Sequence, residues 1–167
     1  MKKYLVCLLL SAILLGGCSA QRLVETVNDE FLLSVSAPVH ELSVQLPAEA
    51  SLTVFSEDTG DAMYLCKDYS VAVQTMAGGD LNQTLRSLCG FGREELTVME
   101  TSPGGLKRYD WIWSCAGEGG AQVGRGAVLD DGDYHYCVCV MADESVAGAL
   151  SDQWDTLFSS VTLRRGT

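Results

Sequence analysis

Short runs of β-branched and aromatic residues recur along most of the chain, and Gly, Pro, Asp or Ser bounds nearly every one of them. Runs of this length and composition predict β-strands, and their close spacing predicts antiparallel pairing through short turns. The predicted strands cover residues 31–36, 41–46, 51–56, 62–66, 69–76, 95–101, 107–116, 121–129 and 133–141.

Two segments have helical spacing instead. The first spans residues 80–89, with Asp80 placed to cap its N-terminus, Gln83 at the reciprocal capping-box position and Gly90 placed to end it in a left-handed conformation. The second spans 143–159, and a short strand at 160–163 follows it. The apolar positions that share a face are Leu81, Leu85 and Leu88 in the first helix, and Val146, Leu150, Trp154, Leu157 and Phe158 in the second. The predicted fold class is therefore α+β, an antiparallel sheet flanked by two main helices.

The sequence Asp130-Asp131-Gly132-Asp133 separates two strand-like runs and predicts a hairpin with a type I′ turn, because Asp-Gly tolerates positive φ angles. With Asp131-Gly132 as a two-residue loop, Cys137 faces Gly126 and Cys139 faces Gly124 across the hairpin. These four acidic and glycine residues lack the spaced oxygen ligands of an EF-hand calcium loop.

If Glu118-Gly119 forms a second two-residue loop, Trp111 and Trp113 lie opposite the same two glycines, and bulky indoles cover the gap that the glycines leave. A loop shifted by one residue would instead turn both tryptophans to the other face of the sheet. In one interpretation a helix fills the resulting trough. In the other the trough stays open, and Tyr109, Trp111 and Trp113 line a ligand pocket.

The N-terminus has the order of a secretory signal: Lys2 and Lys3, an apolar stretch from Tyr4 to Leu15, and small residues up to Cys18. The apolar stretch is too short for a stable membrane span. The sequence Leu15-Gly16-Gly17-Cys18 resembles the lipobox of bacterial lipoproteins. That resemblance implies diacylglycerol addition to the Cys18 thiol and cleavage before Cys18. The alternative is an ordinary signal peptide that contains a cysteine by chance.

These features divide the chain into a signal peptide at 1–17, a lipidated tether at 18–30, a single domain at 31–163 and a tail at 164–167. The chain has 167 residues, of which 47% are hydrophobic and 20% charged, a composition that disfavours disorder and suits one globular core. No apolar run after the first segment reaches the roughly 20 residues that a spanning helix needs.

The chain is acidic, with a formal net charge of −11. Removal of residues 1–17 would discard two lysines and leave nine basic against 22 acidic residues, a net charge of −13. Such a surface repels nucleic acid and anionic lipid head groups, so nucleic-acid partners are not expected and membrane attachment depends on the lipid at Cys18. No cofactor is predicted.

A Gly78-Gly79 bend precedes the first helix, a hairpin strand covers Tyr134–Val140, and the tail extends from Trp154 to Leu163. In these features and in the order of its elements the chain resembles the PsbP-like family, whose bacterial members include many small secreted lipoproteins. The resemblance covers about Phe31 to Leu163 and implies an antiparallel sheet flanked by helices, with a non-enzymatic accessory or binding role. No functional residue is transferred from the family.

Five cysteines remain in the predicted mature domain besides the lipidated one: Cys66, Cys89, Cys115, Cys137 and Cys139. In an exported domain they suggest disulfides, and Cys66–Cys89 is the pairing to test first, because both residues lie at the ends of neighbouring elements. Alternatively, all five are buried thiols that serve only as small apolar residues.

His135, Cys137 and Cys139 fall on one face of a strand, which suggests zinc. Successive residues on one face are nearly 7 Å apart, however, so three of them cannot converge on one ion without distortion. No Gly-x-Ser-x-Gly elbow, Cys-x-x-Cys pair or phosphate-binding glycine motif occurs.

The sequence therefore favours a membrane-anchored envelope lipoprotein, at the cell membrane or outer membrane and facing away from the cytoplasm. Its domain is expected to bind an envelope protein or a small ligand without catalysis. The alternatives are a thiol-redox or metal-dependent enzyme that uses His135, Cys137 and Cys139, and a purely structural envelope lipoprotein.

Overall fold

The computed structural model describes residues 38–117 and 119–165. The predicted signal peptide, the tether, the strand at 31–36 and Cys18 lie outside these described residues. The described strands are β1 (His40–Ser43), β2 (Ser51–Phe55), β3 (Ala62–Leu65), β4 (Tyr69–Ala77), β5 (Val98–Thr101), β6 (Lys107–Gly117), β7 (Gly120–Asp130), β8 (Tyr134–Asp143) and β9 (Thr162–Arg165). The described α-helices are α1 (Leu81–Cys89), α2 (Glu144–Ala147) and α3 (Ser151–Ser160), with single 3-10 turns at Arg93–Glu95, Pro103–Gly105 and Gly148–Leu150.

Seven strands form one antiparallel sheet in the order β2-β3-β4-β8-β7-β6-β5. Strands β5 to β8 are a meander, and β8 then pairs with β4 in the centre of the sheet. Strands β1 and β9 form a separate two-stranded antiparallel ribbon. The predicted α+β class with a mainly antiparallel sheet is confirmed, but β9 extends to Arg165, two residues into the predicted tail.

Helix α1 forms for local reasons that the sequence contains. The Asp80 carboxylate accepts a hydrogen bond from the Asn82 amide at 2.9 Å, which satisfies one of the free N–H groups of the first turn. Gly90 ends the helix at φ 83°, and its N–H donates to the Arg86 carbonyl. Leu81 and Leu85 are buried beneath it. The prediction of a helix over 80–89 is thus confirmed.

The second predicted helix is interrupted. Instead of one helix over 143–159, the chain forms α2, a 3-10 turn at Gly148–Leu150, and then α3. Gly148 has low helix propensity, and the chain from Gly148 to Leu150 forms a 3-10 turn before α3 begins at Ser151. Helix α3 nevertheless buries the predicted apolar face, which contributes Trp154, Leu157 and Phe158 to the core.

Side chains alternate between the two faces of the seven-stranded sheet, and each face has its own core. The α1 face carries Tyr109, Trp111, Trp113, Val128, Cys137 and Cys139 beneath Leu81 and Leu85 of α1. The α3 face carries Val71, Ala127, Leu129, Tyr136, Val138, Val140 and Ala142 beneath Trp154, Leu157 and Phe158 of α3. The sheet is the middle layer of three.

The two long hairpins differ in how well the sequence predicted them. Gly117 pairs with Gly120, so β6 and β7 are joined by the predicted two-residue loop. In the β7–β8 hairpin Asp130 pairs with His135 instead, which leaves four residues between the paired positions. The predicted type I′ turn is wrong, because it needs positive φ at both central residues and no described non-glycine residue has a positive φ.

The longer loop moves the register of β8 by two residues. Cys139 faces Gly126 and Cys137 faces Val128, where the sequence had predicted Cys139 opposite Gly124 and Cys137 opposite Gly126. A shift of two residues keeps every side chain on its predicted face, since the strand period is two.

Candidate functional site

The two tryptophans of β6 lie flat against the glycines of β7. Trp111 pairs with Gly126 and Trp113 with Gly124, as predicted. A methyl group added at either glycine would overlap the atoms of the facing indole, so only glycine leaves room for these rings. The rings stack with their centroids 6.0 Å apart and an interplanar angle of 25°.

Helix α1 covers this surface. Tyr109, Trp111 and Trp113 are only 6%, 2% and 5% exposed, and they belong to one packed cluster with Leu81 and Leu85. The described structure therefore contains the helix-filled trough and not the open one. Tyr109, Trp111 and Trp113 stabilise the fold here, and a ligand would reach them only if α1 moved.

The cysteines are distributed over both faces. Cys66 belongs to the α3-face core, whereas Cys89 packs against the α1-face core. The predicted Cys66–Cys89 disulfide is therefore wrong for this structure, because the sheet lies between the two residues. All five cysteines of the described domain are free thiols.

His135, Cys137 and Cys139 share the α1 face, as predicted, and the Cys137 thiol donates to the His135 carbonyl at 3.5 Å. His135 is 1% exposed, and its Nδ1 is hydrogen-bonded to the Thr84 hydroxyl of α1 at 2.7 Å. Burial lowers the pKa of His135, an effect that the Asp130 and Asp131 carboxylates oppose. His135 thus links α1 to the β7–β8 hairpin as a neutral, buried imidazole.

The thiols of Cys137 and Cys139 lie deep in the α1-face core. Burial raises the pKa of both, so their thiolates are disfavoured. Within the described residues, no group of three or more His, Cys, Asp or Glu side chains is arranged to hold a metal ion.

Asp131 organises the tip of the β7–β8 hairpin, a role that the turn prediction had missed. One carboxylate oxygen accepts hydrogen bonds from the amides of Asp133 and Tyr134 at 3.1 and 2.8 Å. The other accepts from the Tyr136 hydroxyl at 3.0 Å and lies 2.9 Å from His40 Nδ1. Partial burial alone would raise the pKa of Asp131, but these hydrogen bonds outweigh it and lower the pKa. The tip therefore joins the β1–β9 ribbon to the main sheet.

A surface cavity of about 320 Å³ lies between the segment before β2 and helix α3. No sequence pattern predicted this cavity, because its walls are more than 100 residues apart in the chain. No local motif marks such a site. The cavity is lined by Gln45, Leu46, Pro47, Ala48, Glu49, Gln153, Thr156 and Leu157.

Solved structures share this architecture. PsbP from the cyanobacterium Synechocystis sp. PCC 6803 superposes with a TM-score of 0.54 at 8% identity, over 84% of this chain and 99% of that chain. A Bacteroides thetaiotaomicron VPI-5482 protein superposes with a TM-score of 0.51 at 10% identity, over 74% and 45%. LpqN, involved in cell envelope biogenesis of Mycobacterium tuberculosis, gives 0.49 at 12% identity, over 74% and 83%.

No protein family matches the sequence, and no curated protein matches it either. The likeness to PsbP confirms the predicted PsbP-like fold, and at 8% identity it shows the fold alone. Among residues 38–117 and 119–165, no helix is both long and apolar enough to cross a membrane.

Proposed function

We propose that this protein is a lipid-anchored envelope protein whose domain binds an envelope protein or a small ligand without catalysis. The observation that carries the proposal is the sequence Leu15-Gly16-Gly17-Cys18, placed directly after a basic and then apolar N-terminus. Diacylglycerol on the Cys18 thiol supplies the two hydrophobic chains that stable anchoring needs, and an acyl chain such as palmitate on the new amine adds a third.

The acidity of the chain supports a lipid anchor over electrostatic attachment. A net charge of −11 gives no attraction to anionic head groups and opposes nucleic-acid binding. Attachment to the cell membrane or outer membrane then depends on the acyl chains, with the folded domain facing away from the cytoplasm.

The burial of the chemically active side chains supports a non-catalytic role. His135, Cys137 and Cys139 are at most 8% exposed, and each packs beneath α1. A thiol nucleophile needs a stabilised thiolate and access to substrate, whereas burial raises the pKa of both thiols. These facts weigh against the thiol-redox or metal-dependent alternative, which predicts stoichiometric zinc or a thiol of low pKa in the purified protein.

The anchor is tested by replacing Cys18 with alanine in cells supplied with labelled palmitate. We expect the wild type to carry the label and to sediment with membranes in buffer of high salt, and Cys18→Ala to lose the label. Cys7→Ala is the matched control, since Cys7 lies within the apolar stretch and should leave labelling unchanged. A wild-type protein that is unlabelled, retains Met1 and fractionates with the cytosol would overturn the proposal.

Binding is tested by chemical cross-linking in intact cells, followed by affinity purification in detergent and mass spectrometry. A partner that is recovered repeatedly, and that is lost when surface residues of the cavity such as Glu49 and Gln153 are replaced, would support a binding role and locate it. Recovery of no specific partner and no small ligand would favour the purely structural alternative.

A further inference from the structure

Asp131-Gly132 is the only Asp-Gly pair in the chain, and the chain contains no Asn-Gly pair. At such a pair the glycine nitrogen can attack the carboxyl carbon of the aspartate, because glycine has no side chain to hinder the approach or restrict the backbone. The product is a cyclic succinimide, and its hydrolysis gives aspartate or isoaspartate. The sequence thus places a site of spontaneous isomerisation at the tip of the β7–β8 hairpin.

Both oxygens of the Asp131 carboxylate are already bonded in the folded protein. Oδ1 accepts hydrogen bonds from the amides of Asp133 and Tyr134. Oδ2 accepts from the Tyr136 hydroxyl and is bonded to His40 Nδ1. Cyclisation removes one of the two carboxyl oxygens, so it cannot proceed unless the bonds at Oδ1 or those at Oδ2 are broken.

The ionisation state of the tip also disfavours the reaction. Although partial burial raises the pKa of Asp131, its hydrogen bonds lower it below the ordinary value and keep the carboxyl group ionised. A carboxylate cyclises less readily than a carboxylic acid, because its oxygen is the poorer leaving group. The Gly132 N–H donates to Asp130 Oδ1 at 2.8 Å, and this bond retains the proton that the nitrogen must lose.

The two partners of Oδ2 are held with different security. Tyr136 is 0% exposed and lies in the centre of the α3-face core. The His40 side chain is 37% exposed and belongs to the β1–β9 ribbon, a separate two-stranded sheet. Two-stranded sheets are of marginal stability by themselves, so the ribbon opens more readily than the main sheet. Opening of the ribbon removes His40 from the Asp131 carboxylate.

We propose that Asp131-Gly132 is a site of isoaspartate formation, and that the contact between the β1–β9 ribbon and the hairpin tip determines its rate. With His40 in place the carboxylate is fully bonded and reacts slowly. When the ribbon opens, Oδ2 keeps only the Tyr136 hydroxyl and the site becomes reactive. This inference does not depend on the proposed lipid anchor.

The reaction needs no co-reactant other than water. A bond forms between the Gly132 nitrogen and Asp131 Cγ, a Cγ–O bond breaks, and the oxygen leaves as water with the amide and carboxyl protons. Water then opens the ring at either carbonyl carbon, and no atom is oxidised or reduced. Opening at the backbone carbonyl lengthens the main chain by one carbon and displaces the carboxylate. The bonds to His40 and Tyr136 are then lost permanently.

The site is tested on the full chain, purified in detergent and incubated for several weeks at neutral pH in water enriched in heavy oxygen. Peptide mapping, with methylation by an isoaspartate methyltransferase, measures the product at residue 131. Each ring opening also incorporates one heavy oxygen. We expect slow reaction in the folded wild type and a rate severalfold higher in guanidinium chloride. No isoaspartate in the unfolded chain, or equal rates in both states, would overturn the proposal.

Variants test the role of the ribbon contact. His40→Ala removes the ribbon partner of Oδ2, and we expect it to react severalfold faster than the wild type while folded. Tyr136→Phe removes the other partner and should also react faster. Tyr64→Phe, the same change on β3, is the matched control and should keep the wild-type rate. A wild-type rate in His40→Ala would contradict control by the ribbon.

A core variant separates local opening from global unfolding. Val140 is 1% exposed in the α3-face core, so Val140→Ala lowers the stability of the domain without removing a partner of Asp131. Under native conditions, which near-ultraviolet circular dichroism verifies, it should isomerise at the wild-type rate. Acceleration equal to that of His40→Ala would assign the reaction to globally unfolded molecules and overturn the proposal.

Discussion

The two faces of the seven-stranded sheet each pack against a helix, but they do so with different kinds of residues. On the α3 face, medium-sized side chains such as Val71, Val138 and Val140 interdigitate with the aromatic face of α3. On the α1 face, two indoles lie against two glycines, and cysteines fill the space beside them. The α3 face depends on filled volume, whereas the α1 face depends on the absence of side chains at two positions. We therefore expect removal of atoms to damage the first face most, and addition of atoms to damage the second.

The largest expected effect is on the α3 face. Phe158 is 1% exposed, and the guanidinium carbon of Arg125 lies 4.5 Å from its ring centroid. Phe158→Ala leaves a cavity beneath α3 and should lower the free energy of unfolding by about 3–5 kcal/mol. Urea denaturation measures the free energy of unfolding. Thr156→Ala, at an exposed position of the same helix, should change this free energy by less than about 0.5 kcal/mol. A loss below about 1 kcal/mol in Phe158→Ala would contradict the importance of filled volume.

The next effect comes from adding one methyl group on the α1 face. Gly126→Ala places a Cβ within the volume of the Trp111 indole and should cost about 1–3 kcal/mol by displacing the ring. The near-ultraviolet circular dichroism of the stacked tryptophans should change when the Trp111 ring is displaced. Gly119→Ala is the control, since a Cβ there meets no atom within 4 Å. Equal stability of the two variants would show that the indoles do not need the glycine surface.

A smaller loss of stability is expected at low pH, because of the buried His135 at the edge of the α1 face. Burial lowers the pKa of His135, so the folded state favours the neutral imidazole. The stability that this preference contributes is fully present above the unfolded pKa of about 6.5. That stability is lost as the pH falls below 6.5 toward the lowered folded pKa. Urea midpoints between pH 7.5 and 5 should therefore decrease with acidity.

The chain has only two histidines, which supplies a matched comparison. His135→Gln should reduce the dependence of the midpoint on pH, because the titrating buried group is gone. His40→Gln, at a side chain that is 37% exposed, should retain it. An unchanged dependence in His135→Gln would assign the effect to other groups, such as Asp131, whose lowered pKa acts at more acidic pH.

The smallest expected effect is an increase in stability. Gly148 has helical dihedral angles of φ −62° and ψ −34°, and a Cβ there meets no atom within 4 Å. Gly148→Ala should stabilise the domain by about 0.5–1 kcal/mol, chiefly by restricting the unfolded chain. Thermal unfolding measures the shift. Gly132→Ala is the contrasting variant and should destabilise, because Gly132 has φ 99°. A loss of stability in Gly148→Ala would show that the 3-10 turn requires glycine.

How well a feature could be predicted from the sequence depends on how far apart its interacting residues lie in the chain. Helix α1 is specified by Asp80, Gly90 and its own leucines, all within one segment, and was predicted correctly. The placement of Trp111 and Trp113 over glycines was also correct, because one short loop sets it. The β7–β8 register was wrong, since the Asp131 side chain bonds across the tip and lengthens the loop.

The candidate site was harder to predict because its contacts are distant in sequence. Proximity in the chain suggested a Cys66–Cys89 bond, yet the sheet separates the two residues. The Thr84–His135 hydrogen bond joins residues 51 positions apart and has no local signature. The cavity between residues 45–49 and α3 depends in the same way on how the segment before β2 packs.

The β1–β9 ribbon has a consequence for engineering. His40 pairs with Arg165, so the chain enters and leaves the described domain side by side. A short linker could join these positions, and new termini could open in the tight loop between Gly117 and Gly120. Such a circular permutant would move any lipid attached at a new N-terminus to the far end of β6 and β7, and so would invert the orientation in which the domain is presented to the membrane.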